Sequence, residues 1–114
     1  GILKGESSSV YRGLIKIEKQ AQKTNSYLAN HILKLGDKTL ANSIPSLKID
    51  ANDVKASHGA TVGQINEEHL FYLMARGLSR QEAEKLIVEG FFEPVIQKIP
   101  LEELREKIRE MVRR

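Results

Sequence analysis

The sequence predicts a β-plus-α chain in which short strands give way to three helices, and three observations carry that expectation. Up to Ile65 the apolar residues fall in short alternating runs broken by Gly, Asn, Asp and Pro, the punctuation of strands and turns. From Asn66 onward they recur at helical spacing, with the period changing from 2 to 3.6. Helix starts are marked in that second part by Asn66 and by a capping box at Ser79-Arg80-Gln81-Glu82. The expected division is therefore a β part over 1–65 and a helical part over 66–114.

Taken in order, Gly5–Ser9 is turn-like and Val10–Ile17 is a strand with Ile15 and Ile17 on one face. Gln20–Ser26 is polar, and His31–Leu35 puts Leu33 and Leu35 on one face before the Gly36-Asp37 turn. Thr39–Ile44 is extended and is ended by Pro45; Leu47–Ile49 alternates cleanly; Val54–Ala56 is a short strand after the turn at Asp50–Asp53. These strands suit a sandwich, a barrel or a β-helix, and their uneven spacing does not choose among the three. Asn66 is a suitable N-cap, with Glu67 and Glu68 in the first turn and Leu70, Phe71, Leu73 and Met74 as the apolar stripe up to Gly77. The capping box starts a second helix whose buried side is expected at Ala83, Leu86, Ile87 and Phe91. Pro100 is placed at the first position of a third helix, striped by Leu101, Leu104, Ile108 and Met111, with Glu103–Lys107 and Glu110–Arg114 pairs outside.

With 114 residues, 40% hydrophobic and 29% charged, the chain is the size of one ordinary domain. Net charge is +3, and the β part holds only two aromatics, Tyr11 and Tyr27. Without aromatics interleaved among the cations a base-stacking platform is not expected, nor is a nucleic-acid partner. There is no cysteine, which removes disulfides and thiolate ligands from this chain and suits a reducing compartment. No apolar run is long enough for a membrane span. The chain begins at Gly1 rather than Met, as an excised piece of a longer protein would.

Three histidines are candidates for chemistry: His31, His58 and His69. Their spacing forms no metal-binding helix motif. His69 lies beside Glu67 and Glu68, and His31 lies within an expected strand, so both are read as solvated side chains on the surface. His58 is singled out because it sits in Ser57-His58-Gly59-Ala60-Thr61-Val62-Gly63, read as a glycine-rich turn whose small neighbours let a partner approach closely. There is neither a phosphate-binding Gly-rich loop followed by Lys-Ser/Thr nor a Gly-x-Ser-x-Gly elbow, so nucleotide hydrolysis and serine hydrolysis are not expected. No catalytic residue is assigned. In the helical part Phe71, Tyr72, Leu73, Met74, Phe91 and Phe92 are richer in large side chains than three short helices need. Some of them are expected to form a patch for a protein partner.

The order Asp53-Val54-Lys55-x-Ser57-His58-Gly59-Ala60-Thr61-Val62-Gly63, then Leu70-Phe71-Tyr72-Leu73-x-x-Arg76-Gly77 and Gly90-Phe91, resembles the C-terminal part of the SufB/SufD family of iron–sulfur cluster assembly proteins. Tyr11-Arg12-Gly13-Leu14-Ile15, Leu33-x-Leu35 and Ile44-Pro45-x-Leu47-x-Ile49 are similar to that family too, and the Ser-His-Gly-Ala-Thr-Val-Gly form is more like SufD than SufB. The resemblance implies the C-terminal end of a right-handed parallel β-helix followed by a small helical subdomain. It implies a cytoplasmic, non-enzymatic scaffold that pairs through its β-helix with a SufB-type chain or with itself. It implies docking of a SufC-type ATPase through the helices, and hence partner-binding roles for Leu70, Phe71, Leu73, Arg76, Phe91 and Phe92, with no membrane partner. His58 matches a family histidine at the paired interface, implicated in cluster assembly, and a neutral imidazole is a competent iron ligand.

Two departures qualify the carry-over. Ala56 stands where SufD-like chains often have cysteine, and the Tyr27–Ile32 segment lacks the functional cysteine of SufB-like chains. The implied role is therefore that of a SufD-like partner that holds no cluster stably. His58 remains as the one motif residue able to ligate iron, with the cluster passing transiently through a partner interface.

Overall fold

The computed structural model describes residues 1–113. Five strands come first, β1 (Ile2–Leu3), β2 (Ser8–Ile17), β3 (Asn25–Lys34), β4 (Leu40–Ile49) and β5 (Lys55–Gln64). Three helices follow, α1 (Glu67–Ala75), α2 (Arg80–Ile96) and α3 (Glu102–Arg113). The chain divides into two compact units, Gly1–Ile65 and Asn66–Arg114, at the boundary the change of period indicates.

In the first unit every strand pairs in parallel, and always with the strand after next. One sheet has the order β1-β3-β5 and the other β2-β4. Ile2 lies opposite Leu33, Ser8 opposite Leu40 and Asn25 opposite Lys55, so the offset between partners along the sequence is nearly constant. Successive strands alternate between the sheets, and both sheets are open. Register partners in parallel strands share a face. Leu28 reaches toward Gly13 and Asn30 donates to the Ser43 hydroxyl at 2.7 Å, which identifies the facing inner rows. These are Ser26, Leu28, Asn30 and Ile32 on β3, Tyr11, Gly13, Ile15 and Ile17 on β2, and Ala41, Ser43, Pro45 and Leu47 on β4. Ile17 and Ile32 are the buried members of these rows. Buried Thr39 donates its hydroxyl to the Gly36 carbonyl at 2.7 Å and so fixes the turn before β4.

Three sequence expectations change. Pro45 does not end a strand, because β4 runs through it to Ile49; β4 is the last strand of its sheet, where a missing N–H costs no ladder bond. Asn25 and Ser26, the end of the polar stretch 20–26, are already strand, and β3 begins there, six residues before His31, with residues 25–30 paired to 55–60. Most consequentially, Gly59 and Gly63 do not make a turn; they lie inside β5.

In the second unit Asn66 caps α1 through its Oδ1, which accepts from the N–H groups of Glu68 and His69 at 2.8 and 3.1 Å. Gly77, at φ 99°, takes the left-handed turn that ends it. Ser79 and Glu82 form the reciprocal capping box, and the Ser79 hydroxyl and N–H hold the Glu82 carboxyl below its ordinary pKa. α2 continues past Gly90 and Pro94 to Ile96, burying Ala83, Val88 and Ile96, while Leu86 faces out. Pro100 precedes α3 by two positions rather than opening it.

The apolar stripe of α3 is not its inner side. Leu101, Leu104 and Met111 are exposed, whereas Arg105, Ile108, Arg109 and Val112 are half-buried. Arg109 reaches Glu93 of α2 with two bonds, Nη2 to Oε1 at 2.6 Å and Nε to Oε2 at 3.1 Å, and Arg113 meets Glu89 at 3.1 Å. Arg105 donates to the Ile99 carbonyl at 3.0 Å and also pairs with Glu102. The Glu103–Lys107 pair is not formed, and Glu110–Arg114 involves a residue outside those described.

Candidate functional site

His58 is the fourth residue of β5 and lies opposite Leu28 of β3. Because Leu28 points into the space between the sheets, the shared face gives His58 that direction too. Yet His58 is exposed, as are Ala60 and Val62 along the same row. The reason is topological. β5 is the last strand of its sheet and β4 the last of the facing sheet, so β4 flanks the inner row of β5 on one side and no further strand covers the other. An inner-facing imidazole is thereby left open at the end of the stack, among the small side chains of Ala56 and Ala60.

The outer face of the same strand pair is different. Here the His31 Nδ1 and the Thr61 hydroxyl share a 2.5 Å hydrogen bond, and the Tyr27 hydroxyl lies 2.8 Å from where a Gly59 β-carbon would be. The glycine of the Ser-His-Gly motif thus seats a tyrosine ring and does not form a turn. No sequence motif pointed to the His31–Thr61 pair; the signal that would have is the near-constant offset between paired strands.

His58 supplies one nitrogen donor. Among the described residues no three His, Asp or Glu side chains converge to hold a metal ion, and the chain contributes no thiolate.

In the helical unit the predicted patch divides. Leu70 is 1% exposed and belongs to the core; its position on the inner side of α1 takes it out of direct contact with any partner. Phe71, 74% exposed, and Tyr72 face solvent, and the Arg76 guanidinium lies 5.1 Å from the Tyr72 ring centre in a cation–π contact. Leu73, Phe91 and Phe92 are half-buried, and the two phenylalanines meet edge to face at 5.4 Å. The structure therefore joins Tyr72 to Arg76 and Phe91 to Phe92, and leaves Phe71 as the most open aromatic.

Comparison with known proteins identifies the setting. Residues 1–91 match the family described as SUF system FeS cluster assembly, SufBD core domain. The chain belongs to the SufBD family. It is 37% identical to the iron–sulfur cluster assembly protein SufD of Bacillus subtilis over its whole length, covering 26% of that protein. It is 36% identical to SufD of Escherichia coli over 94% of the chain and 25% of the relative. It is 42% identical to a SufBD family protein of Pyrococcus horikoshii over 89% of the chain and 22% of the relative. The chain spans about a quarter of the length of these relatives. The family match takes in all five strands and ends inside α2, so α3 lies beyond it. No helix among the described residues is long and apolar enough to cross a membrane.

Proposed function

We propose that this chain is the C-terminal part of a SufD-like scaffold component in SUF iron–sulfur cluster assembly, working in the cytoplasm without catalysis of its own. The two parallel sheets are read as the last turns of a right-handed β-helix. A SufB-type chain, or a second copy, pairs with the uncovered end that β5 presents. His58 offers its imidazole to iron at that junction, and the partner contributes the thiolates that this chain lacks. The helices dock a SufC-type ATPase through Phe71, Tyr72 and Arg76, with Leu73, Phe91 and Phe92 at the edge and Leu70 supporting them from the core.

The observation that carries the reading is the position of His58, inner-facing by register yet uncovered because the opposite sheet stops one strand short. A core histidine would be enclosed, and an ordinary surface histidine would lie on the outer row, where His31 lies. The test is cluster reconstitution with ferrous iron and sulfide on the chain mixed with a SufB-type partner. His58→Ala is expected to lower cluster yield at least about tenfold, the least that losing even a hydrogen-bond partner of a metal ligand usually costs, while His31→Ala leaves it unchanged. Equal yields from both variants would remove the ligand role from His58.

A further inference from the structure

The outer face of the β2–β4 sheet has a composition that neither the strand pairing nor the His58 site uses. Ten side chains point outward from it by register: Ser8, Val10, Arg12, Leu14 and Lys16 on β2, and Leu40, Asn42, Ile44, Ser46 and Lys48 on β4. All ten are exposed. Leu40 stands beside Ser8, Ile44 beside Arg12 and Leu14 beside Ser46, so the aliphatic residues follow one another along the sheet. Their exposures lie between 42% and 71%. Three of the other six are cations, and none of the ten is a carboxylate. Lys16 is paired with Glu18 just beyond the strand at 2.9 Å; among the described residues neither Arg12 nor Lys48 has an ion-pair partner within 4 Å.

Parallel strands normally have both faces of their sheet covered, and this outer face is bare. A row of four aliphatic side chains edged by cations is instead the pattern of a contact surface. It also persists whatever strands a longer chain adds. A further strand would pair at the edge of β2 or β4 and widen the sheet without covering its outer face. From the Ser8–Leu40 level to the Leu14–Ser46 level the row is roughly 20 Å long, which matches about four turns of α-helix.

We propose that the outer face of β2–β4 is a docking surface for an acidic amphipathic helix of a protein partner. The helix would lay a leucine-type stripe at i, i+4, i+7, i+11 and i+14, roughly 20 Å long, along Leu40, Val10, Ile44 and Leu14, with its flanking carboxylates against Arg12 and Lys48. The charge pattern selects this occupant. A second copy meeting face to face would oppose like cations across an apolar seam, which is disfavoured. This surface is separate from the β5 end and from the helical patch, and does not depend on the function proposed for either.

The test uses fluorescently labelled 18-residue helical peptides titrated onto the whole chain and followed by anisotropy: one with a leucine stripe and glutamate flanks, one with the same stripe and lysine flanks, and one with glutamates and no stripe. The first is expected to bind at least about tenfold more tightly than the other two, and to weaken as salt rises from about 0.05 to 0.5 M. Arg12→Glu with Lys48→Glu should reverse the preference between the glutamate and lysine peptides, and Leu14→Ser with Ile44→Ser should abolish binding of both. All these positions are exposed, so the variants are expected to fold; circular dichroism checks this, and the charge-reversed pair keeps the test independent of the aliphatic pair. Absence of binding by the first peptide, equal binding of the glutamate and lysine peptides, or binding unchanged by the substitutions would overturn the proposal. So would adsorption to vesicles of one-third phosphatidylserine, or concentration-dependent self-association, if the same substitutions removed either one, because the face would then belong to a membrane or a second copy.

Discussion

Single residues set the shape of the β stack. A β-carbon on Gly13 would come within 2.8 Å of Leu28 Cδ2 and within 2.7 Å of the Tyr11 hydroxyl, on the inner side where both neighbours are half-buried and held by the facing strands. A β-carbon on Gly59 would meet only the hydroxyl end of Tyr27, on the outer face, where the ring is exposed and can swing aside. Gly13→Ala is therefore expected to destabilise the strand unit by about 1–3 kcal/mol, the usual cost of overpacking an interior. Gly59→Ala should stay within about 0.5 kcal/mol of the parent. Urea unfolding followed by the β signal in circular dichroism measures both, and equal losses would contradict the assignment of inner and outer rows. The same alternation explains what was hard to read around His58. Gly59 and Gly63 are turn residues by composition, and only pairing of 55–64 with 25–34 shows them to be strand.

Among the elements, α3 shows how local period can mislead. Its sequence places Leu101, Leu104, Ile108 and Met111 on a helical stripe, and a stripe normally faces the core. The neighbouring surface of α2 presents Glu89 and Glu93 instead, so α3 turns the side carrying Arg105, Arg109 and Arg113 toward it. The Arg109 guanidinium, hydrogen-bonded to Glu93, holds that carboxyl below the ordinary glutamate pKa. A depressed carboxylate stabilises the fold above its unfolded pKa, about 4.3, and that contribution is lost as pH falls through the lower folded value. Below about pH 4.3 the α3 amides should exchange with solvent progressively faster relative to those of α1. Glu93→Gln should show faster α3 exchange already at neutral pH and a smaller further rise in acid. Identical acid responses in the two proteins would place the α2–α3 attachment elsewhere. The helix starts, by contrast, were legible residue by residue: Asn66 and the Ser79–Glu82 box are local chemistry and need no tertiary context. On α1 the exposed Phe71 can be tested without disturbing the core that Leu70 anchors. Phe71→Asp should weaken binding of a SufC-type ATPase at least tenfold, about 1.4 kcal/mol, by isothermal calorimetry. Unchanged affinity would move the dock off this helix.

At the scale of the molecule, two units of different construction follow one another along the chain. The change from period 2 to period 3.6 between Ile65 and Asn66 was visible in the sequence because it is a local pattern, and the structure divides at the same place. The longer repeat that sets each strand beside the one after next was not visible. The chain holds only five strands, so each repeat unit appears about twice, and the offset between partners shifts slightly from pair to pair. What identified the parallel architecture in advance was likeness to a family rather than periodicity. Of the residues that likeness singled out, His58, Phe71 and Arg76 are exposed and Leu70 is buried. Under the proposed function His58, alone among the three histidines, meets iron where this chain joins its scaffold partner. Ring signals of His31, His58 and His69, followed by nuclear magnetic resonance as ferrous iron is added in the presence of a SufB-type chain, test it most directly. Selective broadening of the His58 ring, with His31 and His69 little changed, is the predicted result; a His58 ring that responds no more than the other two would contradict it.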